Sequence, residues 1–156
     1  MPDEKNTPPL MSSSSPSYER AQQEAKRPSD VGPAQQVAVL ELLFEAEDNG
    51  RLANLRAMSS LADPTEAETR AEGHAAHQQA LAGMITALGG AAPREGETRR
   101  ILQHGADDVA RAPGDREIAE ALRLVEEDLA RAYETALTDR HLDDAQREAL
   151  SLLSPG

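Results

Sequence analysis

The chain contains no cysteine and no tryptophan, and only Tyr18, Tyr133 and Phe44 are aromatic. Without cysteine there can be no disulfide, no thiolate nucleophile, no iron–sulfur cluster and no cysteine-ligated zinc. With so few aromatic rings, a core must be assembled from Leu, Ile, Val, Met and Ala, which suits closely packed helices better than a sheet. No run of eighteen apolar residues occurs, and the N-terminal MPDEKNTPPLMSSSS has no basic start followed by an apolar stretch. The expectation is therefore a cytoplasmic protein with neither a membrane span nor a secretion signal. A length of 156 residues accommodates one domain and flanking segments.

Positive charge is also scarce. The formal net charge is -12, and residues 1–33 carry little of it: Asp3, Glu4, Glu19, Glu24 and Asp30 are nearly offset by Lys5, Arg20, Lys26 and Arg27. An acidic body without a basic stripe repels phosphate backbones and anionic lipid, so nucleic acid and membrane surfaces are not expected as partners.

What is present is helical periodicity after a polar start. Residues 1–33 hold six of the ten prolines and a serine run from Ser12 to Ser15. Such a composition cannot bury enough apolar surface to offset the entropy of ordering, so the segment reads as a disordered tail. From Pro33 to about Ser60, Val37, Leu40, Phe44, Leu55 and Met58 recur at three-and-four spacing, which predicts a first helix with a kink allowed at Gly50. Asp63-Pro64-Thr65-Glu66 is a start signal for a second helix, with Asp63 as cap and Gly89-Gly90 as the stop after Leu88. A third, shorter helix is expected after Gly96, running to about Ala112 with Ile101, Leu102 and Val109 inward. A fourth, capped by Asp115, follows to Leu137 through Ile118, Leu122, Val125, Leu129, Ala132 and Ala136. A short fifth helix over Leu142 to Leu153 would close one end, giving an all-α domain over residues 34–153.

The chemistry concentrates in the first hairpin. His74 and His77, three residues apart on the second helix, both fall within its apolar stripe, where they could hold one metal ion. If the first two helices are antiparallel and joined at Leu61 to Asp63, uniform rise per residue places Asp48 and Arg51 level with this pair, with Glu47 at the stripe's edge. Two readings follow. In one, Glu47, Asp48, Arg51, His74 and His77 form a satisfied buried network that sets register, with Asp48 as partner to a histidine and to Arg51. In the other, His74, His77, Glu47 and Asp48 bind iron, manganese or zinc, helped by Glu126 or Asp128 from the fourth helix. His104 and His141 read as surface or packing histidines. Glu126, Glu127 and Asp128 read as a partly solvated face, and Tyr133 as a core-edge ring with its hydroxyl toward water. No Ser-His-Asp order, phosphate-cradling glycine loop or EF-hand loop occurs.

The second helix, through His77, Leu81, Ile85, Leu88-Gly89-Gly90 and Pro93, resembles that of bacterioferritin- and rubrerythrin-type proteins. Ile118 through Glu127-Asp128 to Ala132-Tyr133-Glu134 and Ala136-Leu137 resembles the fourth helix of a bacterial ferritin-like family of unknown function. The resemblance implies a ferritin-like antiparallel four-helix bundle, with His77 matching a metal-ligand histidine, in a bacterial stress setting. The departures are specific. His74 stands where ferritin-like diiron sites carry glutamate, and Ala130 where the fourth helix would supply histidine. The resemblance therefore implies the fold more strongly than a ferroxidase or peroxidase activity. The expected function is that of a noncatalytic bundle acting as a homo-oligomer or with a protein partner. The alternatives are the metal-binding or redox bundle and an acidic adaptor for a basic partner. The residues from Gly89 to Gly96 barely span the long crossover typical of ferritins, so a simple up-and-down connection is an open alternative.

Overall fold

Two long helices, α1 (Gly32–Met58) and α2 (Thr65–Ala87), form the hairpin on which the rest is built. The computed structural model describes residues 32–94 and 104–155. The predicted tail up to Val31, the start of the third helix and the inward positions Ile101 and Leu102 lie outside these residues. The described elements are all helical: α1 and α2 are followed by α3 (His104–Arg111), α4 (Asp115–Leu137) and α5 (Asp144–Leu153).

The ends follow local chemistry with small corrections. α1 begins at Gly32-Pro33, slightly earlier than expected, and proline suits a first turn because its missing N–H would have no helical partner. Asp63 Oδ1 accepts from Thr65 N at 3.1 Å, so the side chain expected as a cap does receive a backbone donor, although the helix itself starts later, at Thr65. α2 stops where Gly89 takes φ 86°, a left-handed conformation that glycine adopts without a Cβ penalty. The next residue, Gly90, lies so close to Val37 and Ile85 that a Cβ would come within 3.1 Å and 2.9 Å of their methyl groups. Asp115, expected to cap the fourth helix, lies inside it, and its Oδ2 accepts from Ala62 N at 3.3 Å, tying the start of α4 to the α1–α2 turn. α5 has a complete capping box: Asp143 accepts from Gln146 N, and the Gln146 side chain accepts from Asp143 N.

Contacts set the directions. α2 antiparallels α1, bringing Gly90 back to Val37 near the start of α1. α3 runs alongside α1 in the same direction, since Gly105 lies against Asn49 and Val109 packs lower, with Ala53 and Ala57. α4 returns, its early Ile118 and Leu122 beside Ala53 and Ala57 and its late Tyr133 and Ala136 beside Leu40 and Leu43. The four helices therefore alternate up and down, with α1 touching each of the other three.

The core has two apolar halves. One contains Leu40, Leu43, Phe44, Leu81, Ile85, Leu129 and Tyr133 together with Leu142 and Leu150 from the α5 end. The other contains Ala53, Ala57, Ala67, Val109, Ile118, Leu122 and Val125. Between them, in chain position, lie the buried polar residues Glu47, Asp48, His74 and Gln78. No helix among the described residues is long and apolar enough to cross a membrane.

Candidate functional site

The polar layer arises because α1 and α2 each place hydrophilic side chains on the stripe that faces the partner. Glu47 and Asp48 are fully buried, and His74 and Gln78 are nearly so. An unpaired buried charge is expensive, so each must find a partner within the bundle. α1 continues unbroken through Gly50, and the glycine allowed as a kink has another use. The His74 ring lies on it: a Cβ at position 50 would stand 2.9 Å from both Cε1 and Nε2. The absent side chain lets the imidazole sit against the helix backbone.

Glu47 is the hub. Its Oε1 accepts from His74 Nδ1 at 2.7 Å, and its Oε2 accepts from His77 Nδ1 at 3.1 Å and from the Tyr133 hydroxyl at 2.5 Å. Across the layer, His74 Nε2 donates to Glu126 Oε2 of α4 at 2.9 Å. Ionised carboxylates only accept, so a ring bonded to one at each nitrogen must carry both protons and a positive charge. Burial alone would push the His74 pKa down, but the bonds and charges of Glu126 and Glu47 override it and raise it to about 9. For Glu126, burial acts upward, but the His74 hydrogen bond and charge prevail and hold the carboxyl below its ordinary value. Burial, followed by the charge and hydrogen bond of Glu47, pushes the Tyr133 phenol far upward, so it remains a neutral donor.

A second group adjoins the first. Arg51 Nη2 donates to Asp48 Oδ1 at 2.6 Å and its Nε to Gln78 Oε1 at 3.0 Å, while Gln78 Nε2 donates to Asp48 Oδ1 at 3.1 Å and to the Phe44 carbonyl at 3.4 Å. These three side chains close a ring across the hairpin, which is a register device: slipping α2 by one residue would separate both groups at once.

Of the residues named from sequence as candidate ligands, the structure brings Glu47, His74 and His77 together, and it turns Asp48 to Arg51 and Gln78. The two carboxylates on the His74 ring are both glutamates, Glu47 from the edge of the expected stripe and Glu126 from the face expected to be solvated. Tyr133 is likewise corrected: it is fully buried, with its hydroxyl on Glu47 rather than in water. The available signal was spacing, because Glu126 and Tyr133 stand seven residues apart on one face of α4, framed by Val125 and Leu129. Asp128 is half exposed, bonded to Arg131, with His104 Nε2 at 3.5 Å. His141 Nδ1 pairs with Asp139 at 2.8 Å.

Among the described residues, no group of three or more His, Asp or Glu is disposed to hold a metal ion. A cation arriving at His74 would have to displace the protons the ring holds between Glu47 and Glu126. The arrangement is suited to holding three helices together through one buried charge cluster. Compared with known proteins, the chain matches no family model, no curated protein and no solved structure.

Proposed function

We propose that this is a noncatalytic, ferritin-like antiparallel four-helix bundle, cytoplasmic and bacterial, that works by associating with a second copy of itself. Within the polar layer, His74 is the group best suited to proton transfer or metal ligation, and carboxylates engage it at both nitrogens. The observation in favour of association is on the outside. An apolar groove of about 430 Å³ runs between α1 and α4, lined by Val39, Leu43, Ala46, Val125, Leu129 and Ala132. Leu42 stands on its lip, 53% exposed. Exposed leucine beside an apolar groove on an otherwise acidic surface is the pattern of a face that another surface covers. The ferritin-like assignment is supported by the placement of Glu47 and His77 on facing helices.

Two like-charged bodies repel, so association through apolar contact should strengthen as salt screens the charge. Sedimentation velocity at rising protein concentration, in low and in moderate salt, is expected to show a dimer that salt favours and that Leu42→Glu abolishes. A strict monomer at every concentration and salt level would refute self-association. A dimer indifferent to Leu42→Glu would remove this face from it.

A further inference from the structure

Among the described residues, one buried side-chain polar atom has no hydrogen-bond partner. Asn54, on α1, is fully buried, and its Nδ2 donates to the Gly50 carbonyl at 2.8 Å. That bond fixes the amide, because flipping it would set oxygen against oxygen, and it leaves Asn54 Oδ1 without a hydrogen-bond donor among the described residues. A buried acceptor without a donor is rare in a folded protein and calls for a physical explanation.

Asn54 forms part of the wall of a cleft of about 390 Å³ that opens between α2 and α4. Apolar surface from Ala67 and Leu122 lines it, and its charged groups are Asp63, Glu66 and Glu126 against Arg70 and Arg123. The two arginines of the cleft have carboxylate partners: Arg70 is bonded to Glu66 at 2.6 Å, and Arg123 to Glu120 and Glu127. The two most buried polar groups of the lining, the Asn54 carbonyl and the partly exposed Glu126 carboxylate, are both acceptors, and one of them is negatively charged. Such a site selects a ligand that brings donors and positive charge on a short apolar body.

We propose that the α2–α4 cleft binds a small aliphatic amine, with its ammonium received by Asn54 Oδ1 and Glu126 and its methylenes lying along Ala67 and Leu122. The volume lies at the lower end of the range for small-molecule sites and has ample room for an amine of a few carbons. A diamine places its second ammonium at the mouth, where Glu66 and Asp63 stand. The site is separate from the α1–α4 groove, so it stands or falls independently of self-association.

The test is a titration of the full chain with putrescine, followed by amide-detected NMR and by calorimetry in low salt, with sodium chloride at matched ionic strength and 1-butanol as controls. Saturable shifts at Asn54, Ala67 and Leu122 are expected with putrescine and not with either control. Asn54→Leu should weaken binding at least tenfold. Ala119→Phe, at an exposed position on the cleft wall, should block it without touching the core, which keeps the test valid if the buried variant folds poorly. Absence of saturable shifts at millimolar putrescine overturns the proposal, and so does equal binding by the parent chain and Ala119→Phe.

Discussion

Replacing His74 by glutamine isolates the charge that links α1, α2 and α4. In the folded chain the His74 pKa lies at about 9, against 6.5 for the free side chain. A tenfold difference in proton affinity corresponds to about 1.4 kcal/mol, so the linked stabilisation is on the order of 3 kcal/mol when fully developed. The folded value is raised, so folding favours the protonated ring. The contribution is fully present below pH 6.5, declines as the pH climbs, and is gone once the pH has passed about 9. Urea unfolding followed by circular dichroism at several pH values between about 6 and 9.5, on both proteins, reads this directly. The stability of the parent chain should fall relative to His74→Gln across that window by roughly the 3 kcal/mol above. Tyr133 does not interfere, because its phenol titrates far above the window. A difference between the two proteins that does not change with pH would refute the imidazolium clamp.

Two further substitutions probe the same layer from either side. Gly50→Ala would gain about 1 kcal/mol of helix propensity, but its Cβ would meet the His74 ring at 2.9 Å; a net loss of about 1–3 kcal/mol is expected in urea melts, and a more stable variant would show that the ring does not need the glycine. Tyr133→Phe keeps the ring and removes the donor to Glu47, leaving a fully buried carboxylate less satisfied. It should cost about 1–3 kcal/mol with little change in helical signal, and an unchanged midpoint would mean that the Tyr133–Glu47 bond contributes nothing.

The hairpin was legible because its signals are local. Apolar spacing in α1, the Asp63-Pro64 start and the Gly89-Gly90 stop each act within a turn or two, and antiparallel arithmetic then places Glu47 and Asp48 opposite His74 and His77. The choice between the two acids was less legible. Glu47 and Asp48 are neighbours in sequence and differ by one helical step, so which of them meets the histidines depends on a rotation that periodicity resolves only coarsely. Glu126 was harder still, since an acidic run on an amphipathic helix usually faces water, and nothing in α4 alone reveals that a histidine from α2 waits across the gap.

Composition and spacing by themselves determined that the described chain is helical, where the two hairpin helices, the fourth and the fifth begin and end to within a few residues, and that a polar layer interrupts the first hairpin. Those properties follow from backbone preferences and from the 3.6-residue repeat, which operate along the chain. The tertiary structure alone decided that α3 and α4 continue an up-and-down course, that Glu47 is the hub, and that His74 is held at both nitrogens. It also decided that Asn54 lines a cleft with an acceptor unmet among the described residues. Each of these depends on how far apart two helices settle and how they rotate about their axes, and both are set by packing between residues distant in sequence.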